Sequence, residues 1–198
     1  MVYGKRAETW EGMVRRMNVL RIVAAVALGL TATAAFADQK AAPSGSAMLT
    51  VAGKTAHWNR GAMAPERDSL MKQRNISFER AMTFDSTMLG ALPQHELKVV
   101  TPAGEGTFSG PLLTDVLKAS GAEAGKVRLI GLDGSDAELK PEELNGQNWI
   151  LALVVDGKPV GIGDFGPLWL MHKPDSGKAP SKEEMERWVW SVFYIEVL

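Results

Sequence analysis

The stretch WILALVVDGKPV, residues 149–160, constrains this chain more than any other. Seven consecutive apolar residues, bounded by turn signals, read as a strand buried on both faces. Asp156-Gly157 then supplies a tight turn, and KPVGI begins the return strand of a hairpin. A strand of that kind belongs inside a sheet with cover on both sides.

The remaining segments supply such elements. MLTVAGKTA, 48–56, alternates well enough for a first strand, whereas residues 57–82 carry many charges on irregular apolar spacing and predict a long excursion with one helical turn. Asp85 is placed to cap a short helix that runs through Leu92 and stops at Pro93. HELKVVTP, 95–102, is a strand. In PLLTDVLKASG, Gly110 caps, Pro111 takes the first helical position and Gly121 ends the helix. Leu112, Leu113, Val116 and Leu117 form its apolar face. KVRLIGLDG, 126–134, is a strand entering a turn, and PEELNG is a helical turn from Pro141. PLWLMH is a further strand, KPDSGKAPSKEE an exposed loop, and RWVWSVFYIEVL one long final strand. The sum is an α+β fold, mixed and mostly β, with a few short helices.

The N-terminus follows different rules. Arg15, Arg16 and Arg21 precede or flank IVAAVALGLTATAAFA, 22–37, which ends in the small-x-small pattern Ala35-Phe36-Ala37. This predicts a general secretory signal cleaved before Asp38, with Met13 or Met17 as possible true starts and an N-terminal anchor as the alternative. The apolar run is short and rich in Ala, Thr and Gly for a membrane span. Residues 38–46 read as a flexible polar leader and 47–198 as a single domain. Without residues 1–37 the chain keeps 17 basic and 21 acidic side chains, a net charge of −4. No basic patch stands out, so nucleic acid is a poor partner. The expected location is the periplasm, and the expected partner a small molecule or an exported or membrane protein.

Cysteine is absent, which removes disulfides and thiolate metal ligands together. His57, His95 and His172 are the three histidines, and none has ligand spacing. No Ser-His-Asp spacing, phosphate loop or paired-carboxylate motif supports a hydrolase.

Read in order, TFSGPLLTDVLKASG, LDGSDAELKPEEL, WILALVVDGKPV, GDFGPLWLMHKP and RWVWSVFYIEVL resemble the oxidoreductase molybdopterin-binding domain family, which has the sulfite oxidase fold. The resemblance covers about 47–198, most loosely across 57–82, and is nearest to small exported members. It implies a sulfite-oxidase-like fold and a cleft that in the family's enzymes holds a molybdenum–pterin group. There a Cys thiolate binds the metal, an Asn-His segment and basic side chains hold the pterin phosphate, and a GxPLR-type loop gives an Arg. This chain departs at each point. HELKVVTPAGEGTF has no Cys, Trp169 stands at the Arg position, Ser135 replaces a Tyr, and no Asn-His pair precedes the domain. Arg187-Trp188 does match the family's basic-Trp pair.

The candidate ligand-binding residues are therefore Phe108, Asp133, Trp169, His172, Lys173 and Arg187, with no catalytic residue and no metal ligand assigned. His172 beside Lys173 is read as a possible anion contact. Asp133-Gly134 reads first as a β-turn, Leu168, Leu170 and Met171 as core, and the acidic run 183–186 as a solvated face. Two functions compete. One is an exported, non-catalytic binding module using the former cofactor cleft, accessory to a signalling or redox system. The other is a molybdopterin-dependent oxidoreductase that holds its cofactor without a thiolate. A structural or assembly role is the third.

Overall fold

The computed structural model of the 198-residue chain describes residues 38–101, 104–122, 125–146, 148–164, 166–174 and 179–198. The expected signal segment 1–37 lies outside them. Within the unit Lys40–Leu198 the described strands are β1 (Leu49–Gly53), β2 (Ala81–Phe84), β3 (Gln94–Thr101), β4 (Gly104–Pro111), β5 (Val127–Gly131), β6 (Asp136–Leu139), β7 (Ile150–Ala152), β8 (Val154–Val155), β9 (Lys158–Pro159), β10 (Trp169–Met171) and β11 (Val192–Val197). The described helices are short: α1 (Ser69–Gln73), α2 (Ser86–Gly90), α3 (Leu113–Ala119), α4 (Pro141–Gly146) and α5 (Lys182–Met185). The architecture is α+β and mostly β, as the sequence predicts.

A five-stranded sheet runs in the order β2-β1-β11-β5-β6. Its one parallel pair is β1 with β11, Thr50 opposite Tyr194; the rest are antiparallel. An antiparallel four-stranded sheet has the order β3-β4-β8-β9, and β7 pairs antiparallel with β10 in a separate two-stranded sheet. The five-stranded sheet is covered on both faces, which is why Ala81–Phe84 is buried at every position. Leu49, Val51, Ile195 and Val197 join the main core with α3, β7 and β10. Ala52, Ile130 and Tyr194 face the other way, against Met71, Ile76 and Phe78. Residues 57–80 of the expected excursion, whose apolar spacing has no single period, are thus the cover on that second face, with α1 as the one helical turn, whereas Ala81 and Met82 already belong to β2. Each buried large side chain of 57–80 contributes about 1.5–3 kcal/mol.

Three boundaries differ from those expected. The apolar run 149–155 is two strands in two sheets, broken at Leu153, whose N–H donates to the Ser109 carbonyl at 2.8 Å. The crossing is allowed by Gly110, where a Cβ would lie 1.9 Å from the Leu151 carbonyl oxygen. Pro111 closes β4 opposite Gln94 instead of opening the helix, and Leu112 takes the N-cap of α3. A strand end tolerates the missing N–H as readily as a helix start does. RWVW is not the beginning of β11. Ser191, at φ 54, turns the chain, and Val189 exchanges hydrogen bonds with Leu170 of β10 instead. The loop after Lys173 also contains α5, whose start carries a capping box between Ser181 and Glu184.

Asp85 caps α2 as expected and does more. Its carboxylate accepts from Met88 N–H at 2.8 Å, from Gly45 N–H at 2.7 Å and from the Ser44 hydroxyl at 3.1 Å. Lys40 N–H also bonds to the Trp58 carbonyl, and the Asn59 amide to the Ala41 carbonyl. Residues 40–45, expected to be flexible, are therefore tied along the fold. The Met88 amide, followed by that of Gly45, holds the Asp85 carboxyl below its ordinary value. A folded-state pKa below the unfolded one gives stability that is complete above the unfolded carboxylate value, about 4, and is lost as pH falls through the folded value. The denaturant midpoint of wild type should thus exceed that of Asp85→Asn at neutral pH, and the gap should close on acidification below about pH 4. A gap unchanged by acid would show that the carboxylate charge contributes nothing.

Candidate functional site

Six aromatic or imidazole rings continue one another through the molecule, beginning at Phe108. Phe108 lies 5.4 Å from Trp169, Trp169 4.5 Å from Trp190, Trp190 6.1 Å from Trp188, Trp188 6.4 Å from His172, and His172 4.3 Å from Trp149 (centroid distances). Most contacts are edge-to-face, the arrangement that sets a ring's positive rim against a negative face. Sequence and fold explain the row. β10 delivers Trp169 and, after it, His172. The Val189–Leu170 bridge then lays 188–190 alongside β10, so both RWVW indoles join the row although that segment is not in β11.

The row opens at Trp169 and Trp190, which are half-buried; Phe108 beyond Trp169 is buried, and so are Trp188, His172 and Trp149, which close the other end. At the closed end the Trp149 indole N–H donates to the Glu143 carbonyl at 3.1 Å. The Arg187 guanidinium sits 5.9 Å from the Trp149 ring centroid and pairs with the Glu143 carboxylate. The Lys140 amide, with Arg187 behind it, holds that carboxyl below the ordinary glutamate value. Trp188 is 3% exposed and its Nε1 has no hydrogen-bond partner. A buried N–H without an acceptor costs about 1–3 kcal/mol; Trp58 Nε1 and Arg74 Nε are the other such donors among the described residues, and both lie outside the row.

Four of the six sequence candidates, Phe108, Trp169, His172 and Arg187, meet in this row. Lys173 does not: it is exposed, and His172 Nδ1 meets the Lys173 carbonyl at 2.8 Å, not an outward anion site. The expected His172–Lys173 anion contact is corrected accordingly, because the strand sends the imidazole inward between two indoles. Asp133 is also elsewhere. Its carboxylate accepts from the Ser135 amide at 2.9 Å and hydroxyl at 2.7 Å, the ordinary chemistry of the β5–β6 turn. Trp149, Trp188, Trp190 and Glu143 were not singled out as site residues. The Trp-x-Trp spacing is a signal for two of them; Glu143, in a helical turn far along the chain, leaves none.

These side chains do not fit a molybdenum–pterin group. The sequence has no thiolate, the guanidinium that matches the family's basic-Trp pair is bound to Glu143, and the one histidine in the row is packed between indoles. Trp169, at the position where the resemblance expects an Arg, offers apolar ring area in place of a cation. Among the described residues no three His, Asp or Glu side chains converge as metal ligands. A separate cavity of about 570 Å³ lies beside Gly53, Lys54, Thr55 and Gly121 and shares no residue with the row. No described helix is long and apolar enough to cross a membrane.

No family model matches the chain, and no curated protein matches it. Among solved structures it is similar to the sulfane dehydrogenase SoxCD from Paracoccus pantotrophus, at 12% identity and a TM-score of 0.49. The match covers 75% of this chain but only 37% of that one, a partial likeness of chain path with no residue role attached to it.

Proposed function

We propose that this chain is an exported, non-catalytic binding module whose aromatic row, entered at Trp169 and Trp190, takes a small planar ligand or an aromatic side chain of a partner. One observation carries the reading: a half-open, perpendicular indole pair leads to a buried indole N–H that lacks an acceptor. Apolar ring area with one or two placed polar groups is the usual make-up of a small-molecule site. The ligand class that matches is a flat heterocycle with a carbonyl or ring-nitrogen acceptor. Export rests on the charged, apolar and small-residue order of 1–37; cleavage before Asp38 predicts an intact mass that begins at that residue.

Titration of tryptophan emission with pterin and related planar heterocycles tests the site. Saturable quenching is expected in wild type and in Trp58→Ala, which lies outside the row. Affinity should drop about tenfold or more in Trp190→Ala, and also in Trp188→Phe, which removes the orphan donor. Equal binding by Trp190→Ala would end the proposal. The oxidoreductase reading has its own test. Protein made with its own signal, in a host that produces the molybdenum cofactor, should hold neither molybdenum nor pterin above background. About one equivalent of each would overturn the non-catalytic reading.

A further inference from the structure

The long open edge of the four-stranded sheet belongs to β3, and the direction of its backbone groups can be read through β4. Leu153 N–H donates to the Ser109 carbonyl and Asp156 N–H to the Thr107 carbonyl, both at 2.8 Å. Odd-numbered residues of β4 thus turn their backbone groups to β8. Alternate residues of an antiparallel strand serve opposite neighbours. Gly106, Phe108 and Gly110 therefore serve β3, in register with Val99, Leu97 and His95. Glu96, Lys98 and Val100 are left with N–H and C=O groups directed away from β4, and no described segment pairs with them. Their side chains are exposed, Val100 by 41%, and neither Glu96 nor Lys98 makes an ion pair within the described chain.

We infer that β3 is a self-association edge: two copies of the chain join antiparallel through β3, about a two-fold axis at Leu97. That axis places Glu96 opposite Lys98 of the second copy and Lys98 opposite its Glu96, with Gln94 opposite Val100 at the ends. These are the residues whose backbone groups already face outward, so each facing pair exchanges both of its N–H···O bonds. Neighbouring registers fail. An axis at Glu96 or Lys98 sets like charges face to face, and an axis at Val99 leaves Lys98 against Val100. The other edges are unsuited. β6 presents Asp136 and Glu138, already paired with Arg128 and Lys126; β9 is two residues with a proline; β2 is covered by the Arg60–Ala81 bridge. Lysine on an edge ordinarily guards against foreign strands. Here a glutamate two residues away makes the same edge complementary to its own copy.

Sedimentation velocity of the full chain, across micromolar to submillimolar concentration, tests this. A concentration-dependent dimer is expected, weakened by added salt. Lys98→Glu and Glu96→Lys should each raise the dimer Kd by about tenfold or more, since each turns two attractive pairs into repulsive ones. The double exchange, Glu96→Lys with Lys98→Glu, should return the Kd to the wild-type value, which a merely misfolded variant would not do. A chain monomeric throughout, or a dimer indifferent to either single exchange, would overturn the assignment.

Discussion

Gly110→Ala is expected to leave the chain unfolded, or unfolded far below the wild-type temperature. The added Cβ would stand 1.9 Å from the Leu151 carbonyl oxygen, 2.7 Å from its carbon and 2.9 Å from Ala152 Cα, all backbone atoms. Flexible side chains give way at small cost, but here β4 and β7 must separate. That separation also disturbs the Leu112–Ile150 bridge and the bond from Leu113 N–H to the Trp149 carbonyl, on which the start of α3 hangs. Overpacking costs about 1–3 kcal/mol when side chains can adjust, and the loss here should exceed that range. Gly90→Ala is the control. Nothing lies within 4 Å of its Cβ position at the end of α2, so a change of less than about 1 kcal/mol is expected. Urea midpoints of the two variants decide the matter, and equal midpoints would show that the strand crossing is looser than the geometry requires.

The second large effect is expected at Trp149. Its ring is 2% exposed and serves three neighbours: His172 packs on it at 4.3 Å, Arg187 lies 5.9 Å from its centre, and its N–H holds the Glu143 carbonyl. Trp149→Ala should cost about 3–5 kcal/mol. Trp149→Phe keeps most of the packing and loses the hydrogen bond, so it should cost less, about 1–3 kcal/mol. Near-ultraviolet circular dichroism separates local from global loss, because the alanine variant should also weaken the ring signals of Trp188 and Trp190. A Trp149→Ala protein as stable as wild type would mean that the closed end of the row is not part of the core.

These expectations show which kinds of information the sequence carries. Local chemistry was legible. The Asp85 cap, the Asp156-Gly157 turn, the α4 turn from Pro141 and the burial of Leu168, Leu170 and Met171 all follow from residues near one another in the chain. Sheet membership was not. An apolar run such as 149–155 looks the same whether it is one strand or two, because what divides it is the approach of β4, which is distant in sequence and permitted by one missing Cβ. The break before β11 was hidden for a related reason: Ser191 at positive φ is an uncommon choice that the tertiary bridge between Val189 and Leu170 imposes. Within the site, apolar and aromatic candidates were easier to place than charged ones. Phe108 and Trp169 lie side by side in the row. Lys173, Asp133 and the partner of Arg187 depend on side-chain direction and on a contact with Glu143 that no spacing encodes.

The parallel pairing of β1 with β11 also governs when this protein can fold. β11 lies between β1 and β5, so the five-stranded sheet has no centre until β11 has been synthesised. Contacts of such long sequence separation make folding slow and leave exposed strand edges in the meantime. Until β11 is made the chain stays threadable, the state that the proposed export through a secretory channel would require.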